Sequence, residues 1–241
     1  MMDKSKFYSA IRPAFGGKLD ANQVSGMDAL LDAGKDLPLQ HMAYVLANVR
    51  RETGGGMYPI KETVMPWHKD KNPSDAEVKR RLDEAWRKDQ LTGVKAPYWR
   101  DGAFGRGQIQ LSRPPNYAKF GISNYSDALK LPVSAHIAVV GMRDGLFTGR
   151  ALSGYVFPAA VDHMPSLNPR RIVNGNDGSD KEVAGFHKQF AAALVLAGWG
   201  VRAPPMQPPF PIPDPLIPIK PQGRWAAIFA AIVALFGGKR K

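Results

Sequence analysis

Apolar residues recur at helical spacing in four stretches of the chain. Met42, Val45, Leu46 and Val49 share one face of a helix predicted from His41 to Glu52. Ser74, with Glu77 three positions on, has the spacing of a capping box and opens a charged helix to about Asp89. Two more helices are predicted, from Ser134 to about Leu146 and from Lys181 to about Leu196. The first closes near Gly145 and Gly149 and the second at Gly198. Strand signals are poor, since no alternating β-branched run exceeds four residues. Glycine- and proline-rich loops join the helices, and no internal repeat is present. The pattern predicts a mostly α single domain with irregular loops over residues 1–202.

The pattern changes near residue 203. Nine prolines fall in the eighteen positions from Pro204 to Pro221, which forbids regular helix and favours an extended polyproline II spacer. At about 3.1 Å per residue this spacer would reach roughly 55 Å. Residues 203–223 thus read as a linker. Residues 224–241 hold the unbroken apolar run from Trp225 to Phe236, flanked by Arg224 and by Lys239, Arg240 and Lys241. Twelve apolar residues are fewer than the ~20 that a spanning helix needs. A short apolar helix that seeks an anionic membrane surface is the expectation, and packing on the domain or on a partner is the alternative.

Composition narrows the chemistry. The 241 residues include no cysteine, which excludes a disulfide scaffold, a thiolate metal site and a cysteine nucleophile. A net charge of +12 favours a polyanionic partner. No nucleic-acid-binding motif accompanies it, so nucleic acid is not expected. The polar start, Met1 to Lys6, opens no signal-peptide pattern, so any envelope target is expected to be reached by another route, such as export through a membrane hole or delivery inside a virus particle. The five histidines are too scattered for a metal motif, and no metal or other cofactor is expected. Lys79-Arg80-Arg81 and Arg170-Arg171 read as solvated faces, with contact to an anionic glycan or teichoic acid as the alternative.

Glu52 continues the apolar stripe of its helix, which would bury its carboxyl and raise its pKa as a general acid requires. Thr53 and three glycines follow at once and end the helix beside a wall without side chains. Ten residues on stands a second carboxylate, Glu62; two carboxylates on one cleft are the minimum for hydrolysing a glycosidic bond. From Tyr98 to Ser112, aromatics precede a Gly105-Arg106-Gly107 turn and then alternating polar and apolar residues. In extended conformation Gln110 and Ser112 would face the same way and could hold water or a sugar hydroxyl, with Asn116 and Tyr117 next. Trp67, Trp86 and Trp99 are candidates to stack on sugar rings or to fill a core.

Four ordered blocks carry a resemblance to glycoside hydrolase family 19, which comprises plant-type chitinases and related phage and bacterial lysozyme-like endolysins. They are Arg51-Glu52-Thr53-Gly54-Gly55 with Glu62; Gly105 to Ser112 with Asn116-Tyr117; Gly141 to Gly149; and Arg171 to Gly175 with Asp177. The resemblance covers roughly residues 40–200. It implies a lysozyme-like α-rich fold with a deep cleft and an inverting mechanism. By matched positions it makes Glu52 the general acid and Glu62 the general base. Ser112 would help position the attacking water, and Gln110, Asn116 and Asn174 would line the sugar sites; Tyr117 and Trp99 are further candidates for substrate contact, read from the residues and not from matched positions. Family members commonly carry His where this chain has Arg51. The expected activity is a peptidoglycan hydrolase of the muramidase or endolysin kind. The alternatives are a chitinase, a lytic transglycosylase and an inactive wall-binding virion protein.

Overall fold

The computed structural model describes residues 2–65, 68–91, 94–162, 167–175 and 177–200. The linker, the C-terminal tail, Trp67 and His163 lie outside the described residues. The fold is 54% helix and 3% strand.

Among the described residues seven α-helices follow in order: α1 (Lys4–Ile11), α2 (Ala21–Ala33), α3 (Leu39–Glu52), α4 (Asp75–Arg87), α5 (Pro114–Ala118), α6 (Leu131–Arg143) and α7 (Asp180–Leu196). The predicted helices correspond to α3, α4, α6 and α7. Of these, α6 begins earlier than predicted, because Pro132 occupies its first turn, where a missing N–H costs nothing. At the start of α4, Ser74 Oγ accepts from the Glu77 N–H at 3.2 Å. The Glu77 carboxylate, however, turns away to Arg80 and Arg81. A full reciprocal capping box stands instead at α2, between Asp20 and Gln23.

The apolar faces of α1, α2, α3, α6 and α7 meet in one core that includes Phe7, Leu30, Leu46, Ile137 and Phe190. Within it α3 lies along α7, α2 along α6, and α1 on α7. A second apolar cluster gathers Val78, Leu82 and Ala85 of α4 with Val64, Tyr98, Trp99 and Phe104. Between the two runs a very short antiparallel ribbon, β1 (Ile60–Lys61) against β2 (Arg106–Gly107), in the register Ile60 to Gly107. Arg106 pairs in turn with Leu111, closing a tight loop over residues 106–111. Gly107 is required at this loop. Its φ is 87°, and a Cβ would stand 2.8 Å from the Ala128 carbonyl oxygen. None of the described helices is long and apolar enough to cross a membrane.

Candidate active site

Glu52 is the last residue of α3 and is buried, as its place on the apolar stripe predicts. Its partner is Arg170, which is fully buried in a 3-10 turn (Pro169–Ile172). Every nitrogen of that guanidinium donates a hydrogen bond. Nε donates to Ser179 Oγ at 2.8 Å, and Nη1 donates to Asn48 Oδ1 at 2.7 Å. Nη2 donates both to Glu52 Oε1 and, at 2.9 Å, to Asp177 Oδ2. The acceptors are themselves oriented. Asn48 gives its amide N–H to the Tyr44 carbonyl at 2.8 Å, and the Ser179 hydroxyl donates to Asp177 Oδ1 at 2.6 Å. Reading the Arg170-Arg171 pair as a solvated face is therefore wrong for Arg170. A doublet of arginines gives no sign of which one turns inward; the 3-10 turn sends Arg170 into the core with Pro169 and Ile172.

Two carboxyls share this one cation, and their environments separate them. At Glu52 burial outweighs the attraction of Arg170, and the nearby Asp177 charge adds to the upward shift. At Asp177 burial also acts upward, but Arg170 and the Ser179 hydrogen bonds overcome it and hold the carboxyl below its ordinary value. The arrangement favours a proton on Glu52 and a charge on Asp177. Divergent pKa values in one cluster are the pattern by which acid and base roles are assigned.

Glu62 follows β1 directly and is also buried. Tyr98 donates its hydroxyl to Oε1 at 2.8 Å, and the Gly105 N–H donates to Oε2 at 2.8 Å. Burial raises its pKa; the bonds from Gly105 and Tyr98, and the Arg113 and Arg106 charges, pull the other way. Once ionised, such a carboxylate is a stronger base than an exposed one.

The other predicted residues divide. Gln110 does not sit in an extended strand but turns with φ 55°, so it and Ser112 do not alternate along a strand as expected. Its amide donates to the Gly107 and Ile60 carbonyls at 2.9 and 3.1 Å and holds the loop shut. Its Oε1 nonetheless reaches the Glu62 carboxyl's neighbourhood: a Cβ on Gly105 would lie 3.1 Å from that oxygen and 3.4 Å from Glu62 Oε2. The Ser112 hydroxyl is buried with no hydrogen-bond partner among the described residues. Asn116 is half-buried and donates to the Ser112 carbonyl at 3.0 Å. Asn174 joins the Glu52 cluster, donating to Asp177 Oδ2 at 3.2 Å, and its Oδ1 is buried without a partner among the described residues.

Two expectations are corrected. Trp99 is fully buried in the second cluster, edge-on to Trp86 and Tyr98, with its Nε1 donating to Asp83 at 2.8 Å. Tyr117 is fully buried as well and donates to the Phe104 carbonyl at 2.8 Å. Neither presents a ring face to a ligand. Burying large aromatic area outweighs keeping it available at the surface. Sequence reasoning missed the contributions of Arg170, Asn48, Ser179 and Tyr98, all of which depend on long-range contacts.

Among the described residues, three of the four non-glycine positions with positive φ, namely Met57, Gln110 and Arg113, lie in the segments around Glu62. Sparsely populated backbone of this kind concentrates at functional sites. Among the described residues, no group of His, Asp and Glu is placed to hold a metal ion. No family model, curated protein or solved structure matches this chain.

Proposed function

We propose that this chain is a peptidoglycan hydrolase of the lysozyme-like, family 19 type, with a cleft that binds the glycan strand. The observation that carries the reading is the Glu52–Arg170–Asp177 cluster, where one cation serves two buried carboxyls whose pKa values move apart, up at Glu52 and down at Asp177, so that Glu52 is the one favoured to hold a proton. Glu52 gives that proton to the leaving glycosidic oxygen. Glu62 takes a proton from the water that attacks the sugar's opposite face, so the anomeric configuration inverts. The unpartnered Ser112 hydroxyl supplies a hydrogen bond for that water, and Asn116 and Asn174 contact sugar hydroxyls. Glu62 and Ser112 favour hydrolysis over a transglycosylase reaction, which uses one acid and no water.

In the same reading residues 203–223 space the domain from an apolar, basic-flanked tail at 224–241 that binds anionic membrane. The envelope is then the site of action. The test is digestion of purified peptidoglycan by the full chain, with the new chain ends identified by mass spectrometry. A free reducing-end sugar is expected; an anhydro end would replace hydrolysis with the transglycosylase reaction, and intact glycan would overturn both.

A further inference from the structure

Arg113 occupies a backbone conformation that favours glycine, with φ 73° and ψ 136°. The consequence is a fixed launch point for its side chain. The Arg113 N–H donates to the Ala103 carbonyl at 2.8 Å, and the guanidinium lies over the Tyr98 ring, 4.7 Å from its centre. That same Tyr98 gives its hydroxyl to Glu62 at 2.8 Å. The cation therefore stands one residue away from the proposed base, and its charge is felt there.

What distinguishes Arg113 from its neighbour is its partners. Arg106 is buried against Asp75 at 2.7 Å. Arg113 is half-buried, and its side chain makes no ion pair or hydrogen bond with any described residue. A guanidinium resting over an aromatic ring still has its N–H donors available, and their fork can match a carboxylate through two parallel hydrogen bonds.

We propose that Arg113 is a specificity-determining residue that binds a carboxylate carried by the substrate. It would bias the site toward acidic, peptidoglycan-type strands over neutral, chitin-type strands. This inference rests on the hydrolase reading above.

The test uses the full chain as wild type, Arg113→Gly and Arg113→Lys. Two probes are compared: soluble peptidoglycan glycan strands, and the same strands with their carboxyls converted to amides. Equilibrium binding and release of reducing ends are both measured. Charge-assisted hydrogen bonds to a carboxylate predict that the wild type prefers native strands by about ten- to a hundredfold. Arg113→Gly should bring that preference close to one, and Arg113→Lys should keep part of it, since a point charge lacks the fork. Glycine suits the backbone at this position, so the Arg113→Gly melting temperature should not fall, which separates lost preference from lost fold. Equal binding of both probes by the wild type, no binding of either, or a preference that survives Arg113→Gly overturns the inference. Arg113-dependent binding without cleavage would sink the hydrolase reading and leave the inference standing. Cleavage without preference would do the reverse.

Discussion

Replacing Arg170 with Met removes the cation from a buried cluster while keeping much of the side chain's volume. In the wild type the guanidinium makes four hydrogen bonds to Ser179, Asn48, Glu52 and Asp177. After substitution Asp177 keeps a buried charge without its guanidinium partner, and Asn48 Oδ1 loses its donor. Breaking a buried ion pair from one side costs about 3–5 kcal/mol. For a domain of this size each 1 kcal/mol moves the melting temperature by about 2–4 °C, so a fall of roughly 6–20 °C is expected. The cost should depend on pH. Asp177, held low by Arg170 in the wild type, would become a carboxyl with a raised pKa. Such a group stabilises below its unfolded pKa and loses that contribution as pH rises. The gap between wild type and variant should therefore narrow from pH 7 to pH 4. Adding Asp177→Asn to Arg170→Met should cost less than the two single effects combined, because one uncompensated charge is gone. Thermal unfolding by circular dichroism at the two pH values measures all of this. An Arg170→Met melting temperature within 2 °C of the wild type would refute the electrostatic account of the cluster.

Glu62→Gln reports on the second carboxyl. Its folded pKa is raised by burial above the ordinary 4.5, so its contribution is present at low pH and is lost as pH rises through the folded value. Measured by denaturant unfolding, the variant should gain stability relative to the wild type between pH 4 and pH 8; a flat or falling difference contradicts the shift. Deletion of residues 222–241 should preserve cleavage of isolated peptidoglycan and weaken sedimentation with anionic vesicles, where each basic residue contributes roughly 1 kcal/mol. Vesicle binding equal to that of the full chain would return the tail to the packing alternative.

The helices legible in the sequence were those with a strong local signal. The stripe from Met42 to Val49 fixed α3 and placed Glu52 on its inner face, where the structure buries it. Helix α2 carries its own start signal in Asp20 and Gln23, but a weak apolar stripe and an internal Gly26 hid it. That glycine is there for long-range packing, since a Cβ would stand 2.0 Å from the Met57 carbonyl oxygen. The loop at 106–111 was misread for a related reason. Alternating side chains from Gln108 to Ser112 suggest a strand, whereas the positive φ of Gln110 and its bonds to the nearby Gly107 carbonyl and the distant Ile60 carbonyl make a turn. Arg170 was the hardest residue to read. Its role depends on α3, on Asp177 and on Ser179 converging at one point, and no spacing within the sequence encodes that convergence. The same holds for Tyr98, thirty-six residues from the carboxyl it serves.

The central claim is that Glu52 is the proton donor, and Glu52→Gln tests it most directly. The amide keeps the shape and can still accept from Arg170, but it has no proton to give the leaving oxygen. Release of reducing ends from purified peptidoglycan should fall by about 10²–10⁴-fold, the usual contribution of general acid–base catalysis, while the variant still binds the glycan and unfolds cooperatively. Turnover within a factor of about two of the wild type would contradict the account, because effects of the expected size cannot hide in so small a change.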